Sequence, residues 1–496
     1  MIAPRAISSG RGLVDPEGWP SGLATAADRA RLAHYAEALA FFEGAQWRDP
    51  LRRGEARLTL NYARALVRKA ASYVFPAPVT FTVPSAGDDA AASRAEQALG
   101  EMIGELDLGR LDVELCVDSA VLGDAAIKVT WDGAARNGAG APRVVAVDPA
   151  TLVATCSPDN PRQMLQIVQV CALSGAAIGT LFADPIGVDG EVVGPVSRYD
   201  LAFEQDRLYP VVETWTRDRW RVEVAGQTIR QARNPYGWIP YLVIANAPRP
   251  HAFWGESDLI DLYDVCRELN SRMSVLSTVL ELSGSPIAVL ENVDGSEGIR
   301  VGPGAKWELP EGARAYLLDL LSGGGVGLHV QYVDLLFRAL HDLSETPRTA
   351  FGDSGRDLSG AALEVEIQPL VQKVGRKRHG WEALFRHRNA LLLDLLERFG
   401  GLDLGGLRRT IPIWPSILPS DRDGAVQNAT RLVTSGIHSR RTAVATLGGD
   451  DPDAEFARMI DEARLLATIS PHPPAAEPEQ HAASTDRPVA AMATKE

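Results

Sequence analysis

Two amphipathic stretches separated by a Gly- and Pro-rich excursion, followed at once by a third and longer helical pattern, constrain this chain more than anything else in it. From Leu259 the apolar residues recur at Leu259, Leu262, Cys266, Leu269, Met273, Leu276 and Leu280, in steps of three and four. This spacing predicts a helix over Ser257–Ser283, a rod of about 40 Å at ~1.5 Å per residue. Asp258 and Asp261 would stand in its first turn, where the helix dipole favours negative charge. Gly284, Ser285 and Pro286 end it. A second seam runs Val326, Val330, Val333, Phe337, Leu340, and Pro347 closes that helix. Periodicity alone leaves two readings open: core helices of a globular enzyme, or long contact surfaces in an assembly.

The excursion Pro286–Leu320 carries brief strand-like runs and reads as a small α/β or β unit on a helical stalk. After Pro347 a polar, glycine-punctuated segment leads to a helical pattern from Ser359 to Phe399. Roughly 40 residues would span about 60 Å if straight, and Pro369, Gly375 and Gly380 predict a kink. The basic run Arg376, Lys377, Arg378, His379 near this bend is either an ordinary solvated face or a DNA-facing or subunit-bridging surface.

Upstream, Asp28–Gly44 and Thr59–Phe75 predict amphipathic helices, and the prolines at 76, 78 and 84 bracket a short strand, VTFTV. Helices over Ser93–Leu106 and Gly109–Leu122 lead into AAIKVTW, PRVVAVD and LQIVQVCA, which read as antiparallel strands, as do LYPVVETWT and WRVEVAG around Arg217, Asp218 and Arg219. Beyond a strand, RTIPIWPSI, the segment 420–467 reads as a compact helical unit with SDRDG as its N-terminal cap and TSGIHSR as a turn. The stretch 470–496, rich in Pro, Ala and charge, is expected to be disordered. Helices and strands fall in separate blocks, so the predicted class is α+β.

The chemistry the chain lacks narrows its function. A formal charge of −14 has the wrong sign for gripping nucleic acid by its phosphates, although an acidic channel would let a polyanion slide. Cys116, Cys156, Cys171 and Cys266 are far apart without a CxxC pair, which predicts buried free thiols. The nine histidines form no HExxH and suggest no metal site; GxSxG and GxxxxGK[ST] are missing, and the glycine run at 322–327 has no Lys-Ser/Thr after it. No nucleophile, base or cofactor is nominated. No apolar run approaches the ~18–20 residues of a membrane span, and the first residues have no signal-peptide core, so a soluble, unexported chain with no membrane contact is expected.

Taken in order, LAFFEGAQW, LTLNYARALVRKAASYVF, RNPYGWIPYLVIAN, FWGESDLIDLYDVCRELNSRMSVL, LSETPRTAFGDSGRDLSGAALEVEIQPL and ILPSDRDGAVQNATRLVTSGIHSRRTAVATLGGDDPDAEFARMIDEARLL resemble the portal proteins of tailed double-stranded-DNA bacteriophages, of the siphovirus type. Each motif is soft; their order over residues 31–466 makes the match specific. The resemblance implies an N-terminal arm at 1–27, an α/β wing at 28–255, stem helices at 256–284 and 326–346 flanking a small α/β clip at 285–325, a tunnel loop at 347–358, a kinked tunnel helix with its return to the wing at 359–418, a helical crown at 419–469 and a tail at 470–496. It also implies a ring of about twelve subunits, possibly thirteen when isolated, at one capsid vertex, made in the host bacterial cytoplasm. The ring's partners would be the DNA in its channel, the terminase large subunit, head-tail connectors, and the major capsid and scaffolding proteins.

On this reading Arg348, Phe351, Asp353, Arg356 and Asp357 belong to the tunnel loop. Asp353, Asp357, Glu364 and Glu366 are candidates for the channel lining, with ordinary helix N-terminal charge as the alternative. The stem seam is Leu259, Leu262, Leu269, Met273, Leu276, Leu280, Val333 and Leu340; Arg376, Lys377 and Arg378 are candidates for touching DNA or a neighbour. No catalytic, cofactor or metal residue is implied. Another ring-forming virion adaptor, or a hydrolase built from scattered carboxylates, remains as the alternative.

Overall fold

A computed structural model describes residues 23–182 (without 54 and 86), 203–284, 288–292, 311–317, 325–353, 360–417, 422–447 and 452–469. Thr25 opens its first helix, α1 (Ala26–Phe42): the Thr25 hydroxyl accepts from the Asp28 N–H while the Asp28 carboxylate accepts from the Thr25 N–H. Asn61 caps α2 (Tyr62–Val74), and α3 (Asp89–Glu105) and α4 (Leu108–Leu122) follow the short strand β1 (Thr80–Thr82). α4 stops at Gly123, whose φ of +101° suits glycine, and a Cβ there would lie 2.9 Å from the Glu256 carbonyl carbon.

The first sheet is three-stranded and antiparallel in the order β3 (Ala141–Val147), β2 (Asp124–Asp132), β9 (Tyr241–Ala245), with Ile127 of β2 opposite Ala146 and Leu242. The second is a five-stranded meander of β4 (Leu152–Cys156), β5 (Met164–Ser174), β6 (Leu208–Thr216), β7 (Arg219–Val224) and β8 (Gln227–Arg233). Its strands alternate as a two-faced sheet requires: Val168, Val170 and Val212 join the main core, whereas Val211, Val222 and Val224 pack with Ile178 and Ile229 in a second cluster. Ile178 lies on α5 (Gly175–Leu181), a helix the sequence reading passed over because it is short and glycine-rich.

Among the described residues three two-stranded ribbons complete the strands: β10 (Ala247–Pro248) with β11 (Gly255–Glu256), β12 (Ala288–Glu291) with β13 (Arg314–Leu317), and β1 with β14 (Ile411–Ile413). The long helices are α6 (Tyr263–Gly284), α7 (Gly325–Leu343) and the 39-residue α8 (Gly360–Arg398), whose assignment is unbroken through Pro369, Gly375 and Gly380. α8 packs on α2, β2, β3 and β9 through buried Leu370, Val374, Trp381, Phe385 and Leu392. Residues 418–496 form a second unit, in which α9 (Arg422–Thr434), α10 (Arg440–Thr446) and α11 (Pro452–Ile469) are described and Gly436, at φ +72°, makes the turn after α9. The architecture is α+β, and the tail from 470 onward lies outside the described residues.

Candidate functional site

The helical pair α6–α7 and the segment that joins it to α8 are built on a stitched junction. Gly255 and Gly123 face each other so closely that a Cβ on Gly255 would stand 2.6 Å from the Gly123 oxygen. The chain leaving β11 then bonds back to α4: the Asp258 N–H donates to Ala120 O at 2.9 Å and the Ser257 hydroxyl to Val121 O at 2.5 Å. These bonds tie Ser257 and Asp258 to α4 rather than into the helix that follows. The expected helix therefore starts later than Ser257, with one 3-10 turn at Ile260–Leu262 and α6 proper from Tyr263.

Asp258 is thus not a helix-dipole residue. It is buried, with Lys377 Nζ 2.9 Å and Lys373 Nζ 3.2 Å from its Oδ2, and the Asn246 amide donates to its Oδ1 at 2.7 Å. Burial pushes its carboxyl up, but Lys377 and Lys373 more than offset this and hold it well below the usual carboxylate range. Sequence reasoning missed this cluster; the one signal for it was the spacing of Lys373 and Lys377 at i, i+4 on one helix face.

The seam divides along its length. Leu259, Leu262, Cys266 and Leu269 are buried with Leu340 in the main core, among Tyr35, Phe41, Leu66 and Val121 of α1, α2 and α4. Met273, Val333 and Phe337 pack against that core half-buried, Leu276 is half-buried, and Leu280 is 53% exposed. Ring contacts reinforce the junction, Phe41 with Tyr263 at 4.6 Å and Tyr62 edge-on to Phe337 at 4.8 Å. A second face of α6 is clothed by the segment 46–60: the Leu60 N–H donates to Asn270 Oδ1 at 2.8 Å and the Leu58 N–H to Ser274 Oγ at 2.9 Å. Val330, a seam position by periodicity, is instead 52% exposed.

After Pro347 the chain makes a 3-10 turn, Arg348–Phe351, that stops at Gly352 with φ +86°. Arg348 pairs with Asp353, and Phe351 lies under the Lys69 ammonium, 5.2 Å from the ring centroid, and 6.0 Å from the His341 ring. Arg356 and Asp357 lie outside the described residues. Glu364 and Glu366 are exposed on the first turns of α8.

The basic run divides by its surroundings. Lys377 points inward to Asp258 and Asn246. Arg378 is buried, donating to Val74 O at 3.1 Å and Pro415 O at 2.9 Å and stacking 4.7 Å from the Trp414 centroid. Each of the two side chains satisfies acceptors within this chain that would otherwise be orphaned. Arg376 alone keeps an exposed guanidinium, paired with Glu345.

All four cysteines are free thiols, and burial pushes those of Cys116 and Cys266 up to about 12. Among the described residues no group of three or more His, Cys, Asp or Glu could hold a metal ion, and no helix is long and apolar enough to cross a membrane. The junction is mechanical in character, with packed seams, buried ion pairs and a capped turn.

A family model described as phage portal protein, SPP1 Gp6-like, matches residues 26–180 and 329–465, more than half of the chain. The chain belongs to this family. No curated protein matches it. A phage portal protein is a structural component of the virion, not an enzyme; it assembles with itself into a ring through which DNA is packaged and released, and it works with terminase and connector proteins. The portal match takes in α1 to α4, nearly all of α5, most of α7 and all of α8, whereas α6 and the segment 246–258 that leads to it lie outside the matched residues.

Proposed function

We propose that this portal protein closes into a ring of about twelve subunits, or thirteen when made without a capsid, at one capsid vertex. In this reading 28–255 forms the wing, α6 and α7 the stem, 285–325 the clip, 347–358 the tunnel loop, α8 the tunnel helix and 419–469 the crown. The clip receives the terminase large subunit and later the head-tail connector, the wing and crown meet the capsid and scaffolding proteins, and Arg348, Phe351, Asp353, Glu364 and Glu366 lie toward the channel. An acidic lining spares the passing duplex from electrostatic trapping.

One observation supports this reading above others: the stem helices spend one apolar stripe on their own chain and leave another uncovered. Leu328 is 68%, Leu335 59% and Leu343 51% exposed on α7, and on α6 Val275 is 40% exposed and Leu280, at the far end of the seam itself, 53%. Apolar surface of this extent on two adjacent helices suits a heterologous contact with a second copy. Light scattering and negative-stain imaging of the purified chain test it. A hollow ring is expected, and a stable monomer at micromolar concentration would overturn the assignment.

A further inference from the structure

Two ammonium groups on α8 share one buried carboxylate, which is one cation more than electrostatics requires. Lys377 would satisfy Asp258 by itself, 2.9 Å from Oδ2 and 3.1 Å from Oδ1, with Asn246 as its further partner. Burying a second ammonium beside a neutralised pair costs free energy. What Lys373 adds is a bond that Lys377 does not make: its Nζ donates to the Ser344 carbonyl at 3.0 Å.

Ser344 follows the last residue of α7, where helical carbonyls have no intrahelical donor and the dipole favours a cation. Ser344 and Thr346 are 2% and 0% exposed, and the Thr346 hydroxyl donates to the same Ser344 oxygen at 3.0 Å. His341 Nδ1 lies 2.6 Å from Thr346 O. Between them Glu345 adopts φ +50°, a left-handed conformation unusual for a residue with a side chain, and Arg376, three residues along α8 from Lys373, pairs with it. A strained corner is thus held from outside by two cations of α8.

We propose that Lys373 is a positioning residue of the portal: it locks the C-terminal end of α7, and with it the turn Arg348–Phe351, in register with α8 and the entry to α6. This rests on the portal reading for its purpose, since that turn leads into the segment assigned to the channel. The stem and the base of the channel turn then behave as one body, and a shift of the stem is delivered to the channel wall through this corner rather than absorbed in it.

Hydrogen exchange on the full chain, with Lys373→Met compared with Lys377→Met, tests the assignment. Each variant keeps a balanced pair with Asp258, so melting temperatures should stay within about 3–5 °C of each other. Lys373→Met should accelerate exchange of the amides at 344–351 about tenfold, whereas Lys377→Met should leave them at the wild-type rate. Unchanged exchange in Lys373→Met, or equal acceleration in both, would show a merely stabilising cluster and overturn the proposal. Should Lys373→Met fail to fold, the wild type decides: the Thr346 and Ala350 amides should exchange as slowly as those of α8 around Val374, and fast exchange there refutes the lock. A wild-type chain that forms no ring would sink the portal assembly reading while leaving the exchange comparison intact.

Discussion

Arg388 of α8 and Asp112 of α4 form an ion pair with 2.5 Å between Nη1 and Oδ1, their side chains only 1% and 7% exposed. Burial pushes the Asp112 carboxyl up against the opposing pull of Arg388, so the pair holds two desolvated charges whose attraction only partly offsets their lost hydration. Removing one partner is therefore costly. Asp112→Ala should leave a buried guanidinium uncompensated and lower stability by about 3–5 kcal/mol, read from a denaturant midpoint. The double change Asp112→Leu with Arg388→Met should recover most of that loss. A single-variant loss under about 1 kcal/mol would mean that water reaches Arg388.

Asp124 should make stability fall with rising pH. Its carboxylate accepts from the Tyr35 hydroxyl and from the Gly255 N–H at 2.8 Å, yet burial outweighs these bonds and pushes its pKa up to about 6. The folded chain thus holds this proton at pH values where the unfolded chain has released it. Its contribution is fully present below about pH 4 and is lost as pH rises through about 6, a change of up to about 3 kcal/mol. Asp124→Asn should remove that slope and leave the variant the more stable at pH 8, because the Tyr35 hydroxyl can accept from an amide as well as donate. Melting curves between pH 4 and pH 8 check this, and an unchanged slope rules out Asp124 as its source.

Asp258→Asn should behave oppositely. It strips two buried ammonium groups of their counter-charge and should cost about 3–5 kcal/mol at neutral pH. Because the lysines hold the carboxyl well below its ordinary range, the wild-type cluster should persist through mild acid. Thermal unfolding of both forms at pH 7 and pH 4.5 should show the same large gap, and convergence at pH 4.5 would contradict the arrangement.

The two apolar stripes of the stem should separate folding from assembly. Leu269, fully buried in the chain's own core, should tolerate no charge: Leu269→Asp should destabilise the single chain by several kcal/mol. Leu335→Asp, at a position 59% exposed, should leave the melting temperature of the subunit nearly unchanged while preventing ring closure. Circular dichroism and light scattering on both variants check the pair. Ring formation by Leu335→Asp would place the subunit contact elsewhere.

Most elements were legible in the sequence because their signals are local. The seams at Leu259–Leu280 and Val326–Leu340, the alternating strands and the turn that holds Gly436 each act over a few residues, and the portal resemblance rested on the order of such segments. The failures were of another kind. Ser257 and Asp258 stand at the start of the expected helix but are captured by hydrogen bonds to α4, and α5 is too short for its pattern to register.

What the sequence determined by itself was which face of each helix is apolar, the α+β grouping and the family. Only the tertiary structure decided which partner each face and each charge would meet. Asp258 and Lys377 are 119 residues apart, and Asp112 and Arg388 are 276 apart. Read locally, Asp258 is a helix-dipole charge and Lys377 and Arg378 are part of a basic surface; folding encloses Asp258 among donors, and Lys377 and Arg378 among acceptors, brought from other segments. Helical periodicity is set by bonds between near neighbours, whereas the pairing of buried charges depends on how whole elements pack, and no local pattern carries that information.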